Sequence, residues 1–311
     1  MAIRTYGDVF MIDVLVIGGG PAGLTAAVYA ARAGKTVTLC EQESFGGQIA
    51  QAHQVDNYPA LPGVSGMELG DRLCAQAMDA GASVEFTGVT ALSKEADGTF
   101  TVQTDDGEMK AKAVIFAAGA KPRPMGVERE QELVGLGVGY CALCDGAFFK
   151  DKDVAVVGGG NTAFSDALFL SSICKSVTLI HRRAGFRAEQ PLIEAANNAE
   201  NIRILTPYTV ESLVGQDKLE ALKLTHRETG ETVTIPADGV FVALGRVPDC
   251  SLIEAYVDLD PQGFVAAGED CRTKTPGLYV AGDCRSKAVR QLTTAVADGT
   301  VAATLACEDL K

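Results

Sequence analysis

Two cysteines stand three residues apart in the run Tyr140-Cys141-Ala142-Leu143-Cys144-Asp145-Gly146. That spacing serves either a redox disulfide or half of a zinc site. A structural zinc needs four ligands, and the sequence holds no second Cys-x-x-Cys and no His pair at metal spacing. His53, His181 and His226 are far apart, so the redox reading is preferred and no metal is expected. If the pair opens a helix, the helix dipole lowers a thiol pKa and favours the reactive thiolate. Asp145, directly after the second cysteine, is placed to carry protons to and from the sulfurs; its plainer alternative is a helix N-cap. The chain has nine cysteines, an odd number scattered mostly as singles, which suits a reducing, cytoplasmic compartment better than a secreted disulfide framework. Seven of them read as packing, with Cys40 on a strand and Cys74 and Cys174 on helices. Among these seven, Cys284 alone directly follows an acid, Asp283, that is itself a site candidate.

A second chemistry is carried by two glycine-rich turns. Gly18, Gly20 and Gly23 form a G-x-G-x-x-G run, which is weak evidence alone. Here a strand over 13–17 precedes it, a helix over 21–33 follows, and Glu41 ends the next strand over 35–41. That is the full dinucleotide fingerprint: a tight turn, close backbone approach to a pyrophosphate, a helix N-terminus for the phosphates and an acid for the ribose hydroxyls. The pattern returns at 153–157, 161–172 and 176–181, with Gly158, Gly160 and Ala163 lying 140 residues after Gly18, Gly20 and Gly23. Gly160, Asn161, Thr162 and Ala163 are the phosphate candidates of this copy. At the position of Glu41 stands His181, followed by Arg182, Arg183 and Arg187. A carboxylate there would repel a 2′-phosphate, whereas guanidinium groups bind one bidentately. The first turn therefore predicts a dinucleotide without a 2′-phosphate and the second predicts NADPH. Two such sites in one chain imply electron transfer between a held flavin and a diffusible nicotinamide.

The rest of the chain must position these groups. Its 311 residues suggest two domains at ~150 residues each. Hydrophobic residues at 47% and charged ones at 22% exclude a disordered chain. A net charge of −13 disfavours nucleic acid and anionic membrane surfaces. The uncharged run 14–31 is broken by Gly18, Gly19, Gly20 and Pro21, so it does not read as a membrane span, and Asp8 and Asp13 stand where a signal peptide would carry basic residues. Residues ahead of Met11 read as an extension. Segments 83–116 and 202–241 alternate apolar and polar residues, with turns at Asp97-Gly98, Asp106-Gly107, Gly215 and Gly230, and read as antiparallel strands. Each ends in a strand, a glycine and then Pro122 or Pro248, which reads as a crossing between domains. His53 and His226 read as surface or loop residues.

With these motifs in place, the chain from Ile12 to Ala306 closely resembles the bacterial-type, low-molecular-weight thioredoxin reductases. The resemblance rests on the Gly18 to Gly23 turn, Gly46-Gly47-Gln48, Asn57-Tyr58-Pro59, the Cys141 to Gly146 run, the Gly158 to Ala163 turn and the His181 to Arg187 block. It closes with Ala281-Gly282-Asp283 and Arg290-Gln291. It implies an α/β fold of two Rossmann-like dinucleotide-binding domains, with an NADPH domain (121–247, carrying the dithiol) nested in a discontinuous FAD domain (1–120 and 248–311). Gly18, Gly20, Ala22, Gly23, Glu41, Gly47, Gln48, Asn57, Val89, Gly119, Asp283, Arg290 and Gln291 would then contact FAD. Gly160, Asn161, Thr162, Ala163, His181, Arg182, Arg183 and Arg187 would contact NADPH. Cys144 would be the thiol next to the flavin, Cys141 the one that attacks thioredoxin, Asp145 the acid/base, and Phe148 and Phe149 the apolar docking contacts. The likeness further implies a homodimer whose nested domain rotates, so that nicotinamide and dithiol take turns at the flavin. Leu136-Gly137-Val138-Gly139 and Phe164-Ser165-Asp166 depart from the family's usual residues. A flavoprotein dithiol oxidase, a ferredoxin-fed reductase and a nucleotide-sensing flavoprotein are the alternatives. The arginine cluster weighs against the first two, and the dithiol with Asp145 against the third.

Overall fold

Near-continuous aliphatic runs such as Val14-Leu15-Val16 and Val154-Ala155-Val156 are the pattern of strands buried on both faces, and each becomes a central strand with a parallel neighbour on either side. The structure is a computed structural model that describes residues 11–52 and 54–311. The expected N-terminal extension and His53 lie outside the described residues. The chain forms two compact units: one runs to Lys121 and resumes at Val247, and the other is Pro122–Arg246.

In the first unit the strand order is Ser83–Phe86, Val37–Glu41, Met11–Ile17, Gly107–Phe116, Phe100–Thr104, Val89–Lys94, with Leu278–Val280 also on Gly107–Phe116. Met11–Ile17 is parallel to both its neighbours, while Phe100–Thr104 is antiparallel to both of its own. Helices Pro21–Arg32 and Leu292–Asp309 pack closely because their facing residues are small. A Cβ on Gly299 would collide with the carbonyl oxygen of Ala22. Ala22, Ala26, Ala30, Ala302, Ala303 and Ala306 are all buried in one cluster.

The second unit repeats the plan. Its parallel sheet has the order Ile202–Leu205, Ser176–Ile180, Asp153–Val157, Gly239–Val242, Val138–Gly139. Helix Asn161–Ser171 follows the glycine turn. A separate antiparallel sheet joins Tyr208–Val214, Ala221–His226 and Thr232–Pro236. The α/β class with two Rossmann-like halves is thus the observed architecture.

Three expectations need correction. Ser83–Phe86 and Ile202–Leu205 are not antiparallel; the first pairs parallel with Val37–Glu41 and the second with Ser176–Ile180. Alternation along a strand reports that one face is wet, which holds for an outer parallel strand as much as for a hairpin. Cys174 lies not on a helix but in the bend after helix Asn161–Ser171, where its side chain is still buried. Among the described residues no helix is long and apolar enough to cross a membrane.

Candidate functional site

Each glycine turn leads into a helix with no side-chain cap, Gly20 before Pro21–Arg32 and Gly160 before Asn161–Ser171. The first N–H groups of a helix have no intrahelical acceptor. Helix Gly66–Asp79, by contrast, is capped by Ser65 Oγ. A Cβ built on either Gly20 or Gly160 would meet nothing within 4 Å. Both turns therefore present open space, free donors and the positive helix end together, which fits the phosphates of a dinucleotide. Gly18 has φ +107°, and a Cβ on Gly23 would strike the Gly18 carbonyl oxygen, so these two glycines are required by the turn itself.

Around the first turn the fold gathers most of the flavin candidates. The Gly19 N–H donates to Glu41 Oε2 at 2.6 Å, and the Glu43 and Ser44 N–H groups donate to Oε1 at 2.6 and 3.3 Å. The carboxylate is held rigid at the strand end with lone pairs to spare. Gly46 N–H reaches Gly19 O at 2.8 Å, and a Cβ on Gly47 would lie 3.1 Å from Gly20 Cα. Gln48 Nε2 donates to Ala120 O, next to Gly119. Asn57 Nδ2 donates to Gln291 Oε1 at 3.2 Å, and Gln291 caps the C-terminal helix in a capping box with Thr294. Ala22 is a core residue, and Val89 opens strand Val89–Lys94 at the edge of the second core cluster. Arg290 is engaged by the protein: it donates to the carbonyls of Asp283, Lys287 and Arg285 at 3.0–3.2 Å and stacks on Phe264 at 3.9 Å. It shapes the segment that carries Asp283.

Sequence reasoning missed what anchors that segment. Asp298, on the inner face of the C-terminal helix, accepts from Arg285 (2.9 and 3.2 Å) and the Gly282 N–H (3.0 Å) in buried bonds, and from Lys287 (2.7 Å) in a part-buried one. Burial opposes its ionisation, but the Arg285 and Lys287 hydrogen bonds outweigh it and hold the carboxyl below its usual range. The available signal was an acid among Ala295, Gly299 and Ala302 on a face of small residues.

In the second unit His181 turns inward. Its ring fills the space beside Gly159 and lies 5.5 Å from Phe186. Burial and then the charges of Arg182, Arg183 and Arg187 lower its pKa, opposed by a bond to the Gly185 backbone. All three arginines are exposed. Asn161 pairs its side chain with Glu189 (2.8 and 2.9 Å), and Thr162 is exposed in the first helical turn, next to buried Ala163. A cleft of about 540 Å³ is lined by Arg182, Arg183, Ala184, Pro207, Arg227 and Glu228. Arg187 lies off this cleft, and its backbone N–H holds Gly159 O at 2.8 Å.

Cys141 and Cys144 are joined as a disulfide with Cα atoms 5.3 Å apart. Cys141 is the N-cap of the single turn Ala142–Asp145 and its Sγ accepts the Cys144 N–H at 3.2 Å. The approach is fixed by Tyr140, whose hydroxyl donates to buried Glu130 at 2.7 Å, a carboxylate also held by the N–H groups of Met125 and Gly126. Asp145 makes no side-chain cap bond, which removes its plainer reading, and burial pushes its pKa to about 6. Leu143 and Phe148 are exposed beside the pair. Phe149 instead packs edge-on against Phe241 at 5.4 Å, under Gly239, so only Phe148 of the two is free to meet a partner. Cys284 is fully buried, with its thiol pushed up to about 12 by desolvation; the structure gives it a packing role.

A family model described as pyridine nucleotide-disulphide oxidoreductase matches residues 12–299. The chain is 41% identical over 293 residues to the bifunctional thioredoxin reductase/thioredoxin of Mycobacterium leprae, covering 94% of itself and 64% of that longer protein, less than two thirds. It is 38% identical over 297 residues to a thioredoxin reductase of Mycoplasma pneumoniae, covering 95% of itself and 94% of the relative. The crystal structure of thioredoxin reductase from Streptococcus pyogenes matches with a TM-score of 0.91 at 35% identity, covering 97% of this chain and 99% of that one.

Proposed function

Because the chain belongs to the pyridine nucleotide-disulphide oxidoreductase family, we propose that it is an NADPH-dependent thioredoxin-disulfide reductase with bound FAD. The observation that carries this reading is the Cys141–Cys144 disulfide followed by half-buried Asp145, in the unit that also holds the second glycine turn and the cleft lined by Arg182 and Arg183. The relatives of similar length that are named thioredoxin reductase support the substrate class.

In the first unit, the Gly18–Gly23 turn would take the FAD pyrophosphate on free helix N–H groups, and Glu41 would accept from the adenosine ribose. Gly47, Gln48, Asn57, Val89, Gly119, Asp283, Arg290 and Gln291 would hold the remainder. In the second unit, Gly160, Asn161, Thr162 and Ala163 would take the nicotinamide dinucleotide's pyrophosphate. His181 would pack below it, and Arg182, Arg183 and Arg187 would select the 2′-phosphate. Bound flavin supplies what thiols and carboxylates cannot, a relay between a hydride donor and a disulfide.

The chain's own residues then perform the exchange. Once reduced, the Cys141 thiolate attacks one sulfur of the thioredoxin disulfide. That S–S bond breaks, a mixed disulfide forms, and the departing sulfur takes a proton. Cys144 attacks Cys141 Sγ, the mixed disulfide breaks, and the second thioredoxin sulfur takes a proton. Two electrons and two protons reach the partner, and Cys141–Cys144 is restored. Asp145, with a pKa near the working range, would move a proton at the Cys144 sulfur. Exposed Leu143 and Phe148 would give the partner an apolar seat. The chain would work in the cytoplasm as a homodimer, an assembly that sedimentation velocity on the purified protein tests.

Steady-state oxidation of NADPH, with and without oxidised thioredoxin, tests the function. Turnover that depends on thioredoxin and prefers NADPH over NADH is the expected result. Equal use of both nucleotides would remove the role given to the arginines.

A further inference from the structure

We infer that Arg227 is a further determinant of nucleotide choice beside Arg182, Arg183 and Arg187, closing the far side of the 2′-phosphate site from a different sheet. The inference rests on the NADPH reading above and extends it to a residue 44 positions beyond Arg183 in sequence. Arg227 lines the same cleft as Arg182 and Arg183, although it follows strand Ala221–His226 of the antiparallel sheet rather than the Rossmann strand.

Its place there is built by the backbone. The Arg227 N–H donates to Pro207 O at 2.9 Å, and the next residue, Tyr208, donates its N–H to His181 O at 3.0 Å. The turn itself is tied by His226 N–H to Glu231 O (2.8 Å), Gly230 N–H to His226 O (2.9 Å) and the Glu228 and Thr229 N–H groups to His226 Nδ1 (3.3 and 3.2 Å). The His226 ring lies edge-on against Tyr208 at 4.9 Å. A short chain of bonds thus locks the Arg227 backbone to the segment that presents Arg182 and Arg183. A guanidinium whose backbone is fixed loses less freedom on binding a phosphate. Around the cleft, Arg182, Arg183 and Arg227 face a single carboxylate, Glu228. The balance is two positive charges, which complements a phosphate monoester dianion.

The test compares 2′,5′-ADP with 5′-AMP, which differ by the 2′-phosphate alone, by calorimetry on the flavin-loaded full chain. NADPH and NADH kinetics are measured alongside. Arg227→Ala should weaken 2′,5′-ADP roughly two- to fivefold, as an exposed charge contact does, raise KM for NADPH in step, and leave 5′-AMP and NADH unchanged. Arg227→Lys should recover part of the loss, and Glu228→Gln should tighten 2′,5′-ADP. If Arg183→Ala abolishes the preference for 2′,5′-ADP while Arg227→Ala leaves it intact, the inference fails and the NADPH reading stands. Equal weakening of both nucleotides by Arg227→Ala also overturns the inference. If neither Arg182→Ala nor Arg183→Ala alters the preference, the NADPH reading fails first.

Discussion

The backbone N–H of Cys144 donates to Sγ of Cys141 at 3.2 Å, so the sulfur at the N-cap already has a donor aimed at it. A hydrogen bond to the charged form of a thiol favours that form. After reduction Cys141 should be the more acidic of the two thiols and the one that reacts with an outside disulfide. Cys141→Ser is expected to abolish thioredoxin turnover while NADPH still bleaches the flavin. Surviving thioredoxin turnover in that variant would show that the exchange uses other sulfurs.

Asp145 gives up stability for chemistry. Its folded-state pKa is raised from 3.8 to about 6 by burial. A raised carboxyl favours the fold fully below pH 3.8, and that contribution fades as pH rises and is gone above about 6. Asp145→Asn carries no ionisation penalty, so at pH 7 it should be more stable than the parent by up to about 3 kcal/mol. The same change should slow dithiol–thioredoxin exchange about a hundredfold. Urea denaturation at pH 5 and pH 8, with stopped-flow exchange, measures both. A stability gain that is the same at both pH values would contradict the buried-carboxylate account.

Gly20 and Gly23 separate binding from folding. Gly20 has φ −76°, and a Cβ there meets nothing, whereas a Cβ on Gly23 would collide with the Gly18 carbonyl. Gly20→Ala should therefore melt like the parent but purify with little flavin. Gly23→Ala should lose roughly 1–3 kcal/mol through overpacking. Thermal melts of the apoprotein and the absorbance ratio of the purified holoprotein distinguish the two outcomes.

Asp298 should be the least replaceable acid of the first unit. Asp298→Asn leaves Arg285 and Lys287 buried without their counter-ion, a loss of about 3–5 kcal/mol. Because the Gly282 N–H is tied to the same carboxylate, flavin should also dissociate faster from this variant. Its ionised form is favoured in the fold, so that stability is present above the usual carboxylate range and is lost as pH falls below it. A guanidinium melt at pH 7 and a flavin-release trace test the claim. Parent-like flavin release would separate Asp298 from the site.

What was legible in the sequence was local. The strands ending before Gly18 and Gly158, the helices after them and the dithiol turn depend on φ, side-chain volume and period within a few residues. The α/β class with two Rossmann-like halves followed from repeating that local unit. Contacts between distant residues left no such mark. Asn57 meets Gln291, and Asp298 meets Arg285, only because sheet and helix packing carries them together.

The sequence by itself determined which chemistries the chain could hold: a dithiol, two phosphate-binding turns and an arginine cluster. Tertiary structure decided which side chains are free to act. It turned His181 inward beside Gly159, packed Phe149 on Phe241, buried Cys284 and brought Arg227 to the cleft that Arg182 and Arg183 line. It also made Ser83–Phe86 and Ile202–Leu205 parallel strands rather than hairpin arms. The reason is that a residue's type sets its local conformation, while its exposure and partners are set by whatever long-range packing buries the most apolar surface without stranding a polar group.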